Sequence, residues 1–236
     1  MSEGAGTRTA IVTGAAGNLG RAVAAAFEAD GARVVLVDRT LESLRARCGA
    51  ETDRRLFVAA DLRVQADADA VAERAIDRFG RIDALCNIAG GFRMGEPVHE
   101  TSDEAWQWLF DHNTRSVLTM ARAVVPRMLA QGAGAIVNVG AFAAQRGTAN
   151  MGAYCASKSV VIRLTESMAA ELRERNINVN CVLPTILDTP ENRRAMPGAD
   201  PARWVAPADL ARIMVFLASP AARAIHAAAI PVTGLS

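Results

Sequence analysis

Seven short, nearly continuous apolar segments punctuate the chain: TAIVTG, ARVVLVD, RLFVAAD, IDALCNIAG, GAIVNVG, INVNCVLP and AAIPVTG. They are rich in β-branched residues, as strands prefer. Their apolar positions run on rather than alternate, so both faces of each strand need cover, the condition of a parallel sheet. Between them lie longer stretches with helical periodicity, such as VQADADAVAERAIDRFG and VVIRLTESMAAELRERN. Right-handed crossovers then predict an α/β fold: one doubly wound parallel sheet of about seven strands with helices on both faces. No repeat or linker interrupts the pattern, so residues 1–236 read as a single domain. The small, polar residues 1–7 are expected to be flexible. Residues 185–204, TILDTPENRRAMPGADPARW, carry three prolines in a long connection and read as a binding loop.

Charge and composition narrow the function classes. The 26 basic and 25 acidic residues leave a formal net charge of +1, with no electrostatic footprint for nucleic acid or a membrane surface. No apolar run approaches the ~20 residues a spanning helix needs. The N-terminal MSEGAGTRTA lacks a basic head leading into an apolar stretch, so a cytoplasmic protein is expected. Cys48, Cys86, Cys155 and Cys181 form no CxxC pair and read as reduced core thiols. His99, His112 and His226 are scattered without metal-ligand spacing, and no metal is expected. The partner left by these exclusions is a small-molecule substrate.

The first apolar segment runs directly into TGAAGNLGRA. Gly14, Gly17 and Gly20 sit at the turn into a helix beginning near Asn18. Such a turn lets the pyrophosphate of a dinucleotide approach backbone N–H groups at a helix N-terminus. Asp38 closes the second strand at the distance expected for a ribose-binding carboxylate. Its charge favours NAD(H) by repelling a 2′-phosphate. Arg39 beside it could hold that phosphate and leaves NADP(H) as the alternative.

Tyr154 is the only tyrosine and Lys158 the only lysine of the chain, and they stand four residues apart in YCASK. On a helix, positions i and i+4 share a face. A free phenol titrates near ~10, too high to release a proton readily at neutral pH. A nearby ammonium is expected to lower that value and make the pair a general acid/base. Lysine suits the task better than arginine because it is a compact point charge.

TGAAGNLG, Asp38, the Asp61-Leu62 pair, NIAG (residues 87–90), Asn113, YCASK and PTILDT (residues 184–189) together resemble the short-chain dehydrogenase/reductase family, in the right order over nearly the whole chain. The resemblance implies a Rossmann-type fold, a nicotinamide cofactor and a homotetramer or homodimer. It places Gly14, Gly17, Asn18, Leu19 and Gly20 around the pyrophosphate, and Asp61 and Leu62 beside the adenine. Asn87, Ala89 and Gly90 line the cofactor floor, with Pro184 at the end of its strand. Lys158 holds the nicotinamide ribose, and Thr189 contacts the carboxamide. Asn113, inside a long helix after DEAWQWLFDHN, matches the family's asparagine that holds a relay water; the alternative is an internally satisfied helix amide.

The chain departs from that family at four points. Asn18 stands at the middle glycine, Ile88 at the second asparagine of NNAG, and Thr185 at the glycine of PG. The fourth departure touches chemistry: the residue thirteen before Tyr154, the family's catalytic serine, is Ala141. Losing such a donor can cost ~10²–10³ in rate. Either the substrate is already activated, or a water, Gln145 or Thr148 stands in. Quinonoid dihydropteridine reductases also carry alanine there, and GTANMGAYCASK and LDTPENRRAMPGADPARW are similar to that branch. A cofactor-binding scaffold without turnover is the reading from another class. Phe92, Ala141, Phe142, Gln145, Met196 and Trp204 are the candidate walls of a substrate pocket, with core packing the alternative for Phe142.

Overall fold

The computed structural model describes residues 7–236. The expectation of a flexible N-terminus over residues 1–7 therefore falls, Thr7 apart, outside the described residues. Seven parallel strands form one sheet in the order β3-β2-β1-β4-β5-β6-β7. They are β1 (Thr9–Thr13), β2 (Arg33–Asp38), β3 (Arg55–Ala59), β4 (Ala84–Asn87), β5 (Gly134–Val139), β6 (Ile177–Pro184) and β7 (Ala229–Val232). The helices between them are α1 (Asn18–Ala29), α2 (Leu41–Cys48), α3 (Gln65–Phe79), α4 (Asp103–Phe110), α5 (Ser116–Gln131), α6 (Gly152–Leu172), α7 (Pro190–Ala195) and α8 (Pro207–Leu217).

Two hydrophobic layers explain why the strands read as unbroken apolar runs. Val12, Val34 and Leu36 face Val23 and Phe27 of α1 and Leu210 and Met214 of α8. Their neighbours Ile11, Val35 and Val37 face the opposite way, onto Val71 and Ala75 of α3 and Met120 and Val124 of α5. Every second side chain thus enters a different core, and neither face is left wet.

Strand order reverses between β1 and β4, whose register pairs Ala10 with Ala84 and Val12 with Cys86. The crevice beyond the C-terminal ends of these two strands is where open α/β sheets bind ligands. Two segments differ from expectation. Asn113 does not lie within one long α-helix: the coil widens to a π-helix over Asp111–Arg115, between α4 and α5. The 185–204 connection folds into the short α7 and a single 3₁₀ turn at Pro201–Arg203.

Candidate active site

The cleft begins at the turn after β1. Gly14 has φ +63°, a left-handed conformation that glycine takes without strain. A methyl group at Gly20 would lie 2.2 Å from the Gly14 carbonyl, so helix α1 can pack this tightly on the turn only through glycine. The Thr13 hydroxyl accepts from the amides of Ile88 and Ala89 at 2.9 and 3.0 Å and so stitches the tips of β1 and β4 together. Gly17, at the start of α1, provides no side-chain cap. The first amides of α1 therefore have no side-chain partner, the arrangement that takes up an anion at a helix N-terminus.

At the tip of β2, Asp38 Oδ2 accepts from the Ala16 amide at 2.9 Å, folding the carboxylate across the glycine turn, while Oδ1 accepts from Arg39 N at 2.8 Å. Asp61 is gripped by the Arg63 guanidinium, which holds its carboxyl down to about 2. Leu62 is buried and its carbonyl accepts from the Thr119 hydroxyl, so its side chain serves the core. Asn87 is buried on the floor; its Nδ2 donates to Asn138 Oδ1 at 2.8 Å, and its own Oδ1 has no partner among the described residues. Pro184 ends β6 opposite Val232. Thr189 is buried and caps α7, its Oγ1 accepting from the Asn192 amide.

Asn18, the departure at the middle glycine, uses its side chain. Nδ2 donates to Glu191 of α7 at 2.7 Å and Oδ1 accepts from Arg21 at 2.8 Å. The 185–204 segment is thereby tied across the cleft to the start of α1.

Tyr154 and Lys158 share one face of α6, one turn apart. Lys158 is buried and donates from Nζ to the Val139 carbonyl at 2.8 Å. Burial draws its ammonium down to about 8 and pushes the Tyr154 phenol up to about 12. This corrects the expectation of a lowered phenol value. In this arrangement the lysine spends its charge on a main-chain carbonyl, and loss of solvent decides both groups. Phe92 meets Tyr154 edge to face, with ring centroids 4.8 Å apart.

Asn113 is fully engaged. Its Oδ1 accepts from the Gly91 amide at 2.8 Å, and its Nδ2 donates to the Gly91 carbonyl and to Ser157 Oγ, both at 3.0 Å. Ser157 in turn donates to the Tyr154 carbonyl at 2.9 Å. The amide is thus internally satisfied, and it joins the β4 tip, the π-helical turn and α6. A methyl group at Gly90 would lie 2.7 Å from Asn113 Oδ1 and 3.3 Å from Lys158 Nζ, which leaves glycine as the fitting residue there.

Ala141 is buried among Val117, Val161, Ile162, Cys181 and Leu183, with Tyr154 packed against the same cluster. The position of a catalytic serine is here an apolar wall. A cavity of about 380 Å³ reaches Tyr154 and is bordered by Arg93, Glu96, Glu104 and Asn150. Gln145 borders another cavity, of about 400 Å³, with Ser159, Ile162 and Ala229. Trp204 is buried, and Phe142 and Met196 are half-buried. Sequence reasoning did not name Trp108. Thr13, Ser157 and Glu191 lay inside TGAAGNLG, YCASK and the 185–204 loop without being singled out.

The glycine cradle, the uncapped α1 amides and the Asp38 carboxylate fit a dinucleotide. Among the described residues no helix is long and apolar enough to cross a membrane, and no group of three or more metal-ligating side chains forms. The family model for short chain dehydrogenases matches residues 8–199. The chain is 35% identical to D-threitol dehydrogenase of Mycolicibacterium smegmatis, covering 96% of this chain and 92% of that one. It is 38% identical to sorbitol dehydrogenase of Cereibacter sphaeroides over 77% of this chain and 71% of that one. The solved structure of 3-ketoacyl-(acyl-carrier-protein) reductase from Brucella melitensis with NADH superposes with a TM-score of 0.87 at 32% identity, covering 96% and 97% of the two chains. A seven-stranded Rossmann-type sheet, a dinucleotide cradle at its switch point and these relatives have one reading: the chain belongs to the short-chain dehydrogenase/reductase family of nicotinamide-dependent oxidoreductases.

Proposed function

We propose that the chain interconverts a small alcohol and its carbonyl compound, with NAD(H) the preferred cofactor and Tyr154 the group that exchanges the proton. The observation that carries this is the cavity that reaches Tyr154 beside the crevice of β1 and β4. A nicotinamide held in the crevice would supply or accept the hydride. Tyr154 Oη gives its proton to the substrate oxygen during reduction and takes it back during oxidation. Lys158, one turn along the same face, is placed to hold the ribose of a bound nicotinamide, and Asn113 fixes the Gly90-Gly91 floor. Asp38, folded over the glycine turn, disfavours a 2′-phosphate, which supports NAD(H) over NADP(H). Relatives named for threitol and sorbitol support an alcohol substrate.

The apolar wall at Ala141 favours a second reading. A substrate already activated as a quinonoid or iminium compound needs no donor there. Fluorescence titration with NADH and NADPH tests the cofactor preference, and tighter NADPH would reject the role given to Asp38. Tyr154→Phe should lower turnover by ~10² or more. Ala141→Ser should raise reduction of ordinary ketones by about 10-fold if the oxyanion lacks a donor. Efficient ketone reduction by the unmodified protein, unchanged by Ala141→Ser, would reject the activated-substrate reading.

A further inference from the structure

The cavity beside Tyr154 holds charged groups that nothing in the protein neutralises. Arg93, Glu96, Glu104 and Asn150 all border it. Among the described residues, none of the three charged side chains makes an ion pair, and none of the four makes a side-chain hydrogen bond. Ser102 and Thr101, also on its border, are spent: Ser102 caps α4 through the Ala105 amide, and Thr101 donates to the Pro97 carbonyl.

Arg93 is also held in place. Its guanidinium lies 4.2 Å above the Trp108 ring. Trp108 is stacked on His112, centroids 4.3 Å apart, and packs against Gly91, where a methyl group would come within 2.1 Å of the indole. Gly91 is clamped by Asn113. A stacked guanidinium loses less freedom when it binds than a free one does.

Arg93, Glu96, Glu104 and Asn150 are all exposed, so water solvates them, and a ligand that enters displaces water from one cation and two carboxylates together. A simple ketone offers one acceptor and replaces little of the hydrogen bonding that the displaced water supplied. A carboxylic acid pairs with Arg93 but faces Glu96 and Glu104. Hydroxyl groups both donate and accept, so a chain of vicinal hydroxyls suits the guanidinium and the carboxylates alike. The Phe92 ring, seated edge to face on Tyr154, offers an apolar surface to the carbon chain.

Resting on the hydride-transfer reading above, we propose that the substrate is polyhydroxylated and that Arg93 is a specificity-determining residue, reading hydroxyls beyond the reacting carbon. The test compares threitol with 2-butanol as matched secondary alcohols, in the unmodified protein and in Arg93→Ala and Arg93→Lys. Arg93→Ala should lower kcat/KM for threitol by about 10-fold or more and leave 2-butanol within about two-fold, with Arg93→Lys between. Equal losses on both alcohols, or no loss on either, overturn the assignment. So does a preference for 2-hydroxybutyrate over threitol that Arg93→Ala abolishes, since the arginine would then be reading an acid. A second readout does not depend on turnover: threitol added to the protein should change tryptophan emission saturably, and Arg93→Ala should remove the response. Saturable binding without turnover would reject hydride transfer and keep the hydroxyl-reading role. Absence of any saturable response overturns that role.

Discussion

Lys158 is 6% exposed, and its ammonium has one hydrogen bond, to a main-chain carbonyl. Burial holds its folded value near 8 against an ordinary 10.5. Below about pH 8 both folded and unfolded chains carry the proton, and the cost of burying it is fully present. Between pH 8 and 10.5 the folded chain has released the proton while the unfolded chain keeps it, so stability rises with pH. The difference between the two values corresponds to about 3 kcal/mol in total. Lys158→Met should remove this rise. Denaturant unfolding at pH 7, 8, 9 and 10 reads it as the difference between the two proteins. Parallel curves would mean that the ammonium is better solvated than its burial implies. Above pH 10 the Tyr154 phenol, raised to about 12, acts in the opposite direction, because the unfolded tyrosine ionises first. The single lysine is therefore a destabilising residue at neutral pH, and chemistry accounts for its presence better than folding does.

The π-helical turn is the element that aims Asn113. Five residues, Asp111–Arg115, follow a coil wider than the α-helices on either side. Leu109 before it and Val117 after it are buried, so the flanking helices are pinned by their cores. Removing exposed Arg115 should let the coil tighten to an ordinary α-helix between those fixed ends. Each residue turns the chain by about 100°, which swings Asn113 off Gly91. The expected outcome is an unchanged far-UV spectrum with activity lower by about 10²-fold, the scale on which a displacement of ~1 Å matters. Retained activity would show that the clamp on Gly91 is dispensable. The turn was invisible in DEAWQWLFDHN because helical periodicity runs through it, and the clamp reaches a glycine 22 residues away. The strands were legible for the opposite reason: TAIVT and RVVLVD need nothing but their own composition to demand cover on two faces. The glycine turn, Asp38, Tyr154 and Lys158 were legible because their spacing is local. The Asn18–Glu191 contact, spanning 173 residues, and the Arg93–Trp108 stack were not, since each joins segments that only the fold brings together.

For the molecule as a whole, three of the exposed apolar side chains lie on or beside the flank of α4 and α5: Val64 at 47%, Trp106 at 46% and Leu118 at 37%. By the family resemblance, α5 and α6 pair across a two-fold axis, and burying this flank would repay association. Static light scattering at micromolar concentration should report a homodimer or homotetramer; a monomer would reject the pairing. The strand order carries a different consequence. Everything through Gly80 builds β1, β2 and β3, and everything after it builds β4 to β7, so the sheet is two halves that meet at β1–β4, with α1 packed on α8 and α3 on α5 across the same join. The cradle and Asp38 belong to the first half, while the floor, Tyr154 and Lys158 belong to the second. A dinucleotide held in that crevice would touch both and act as a bolt across the join. At 100 times its dissociation constant it would add about 2.7 kcal/mol against unfolding, so a cofactor that serves the chemistry would also set how firmly the molecule is closed.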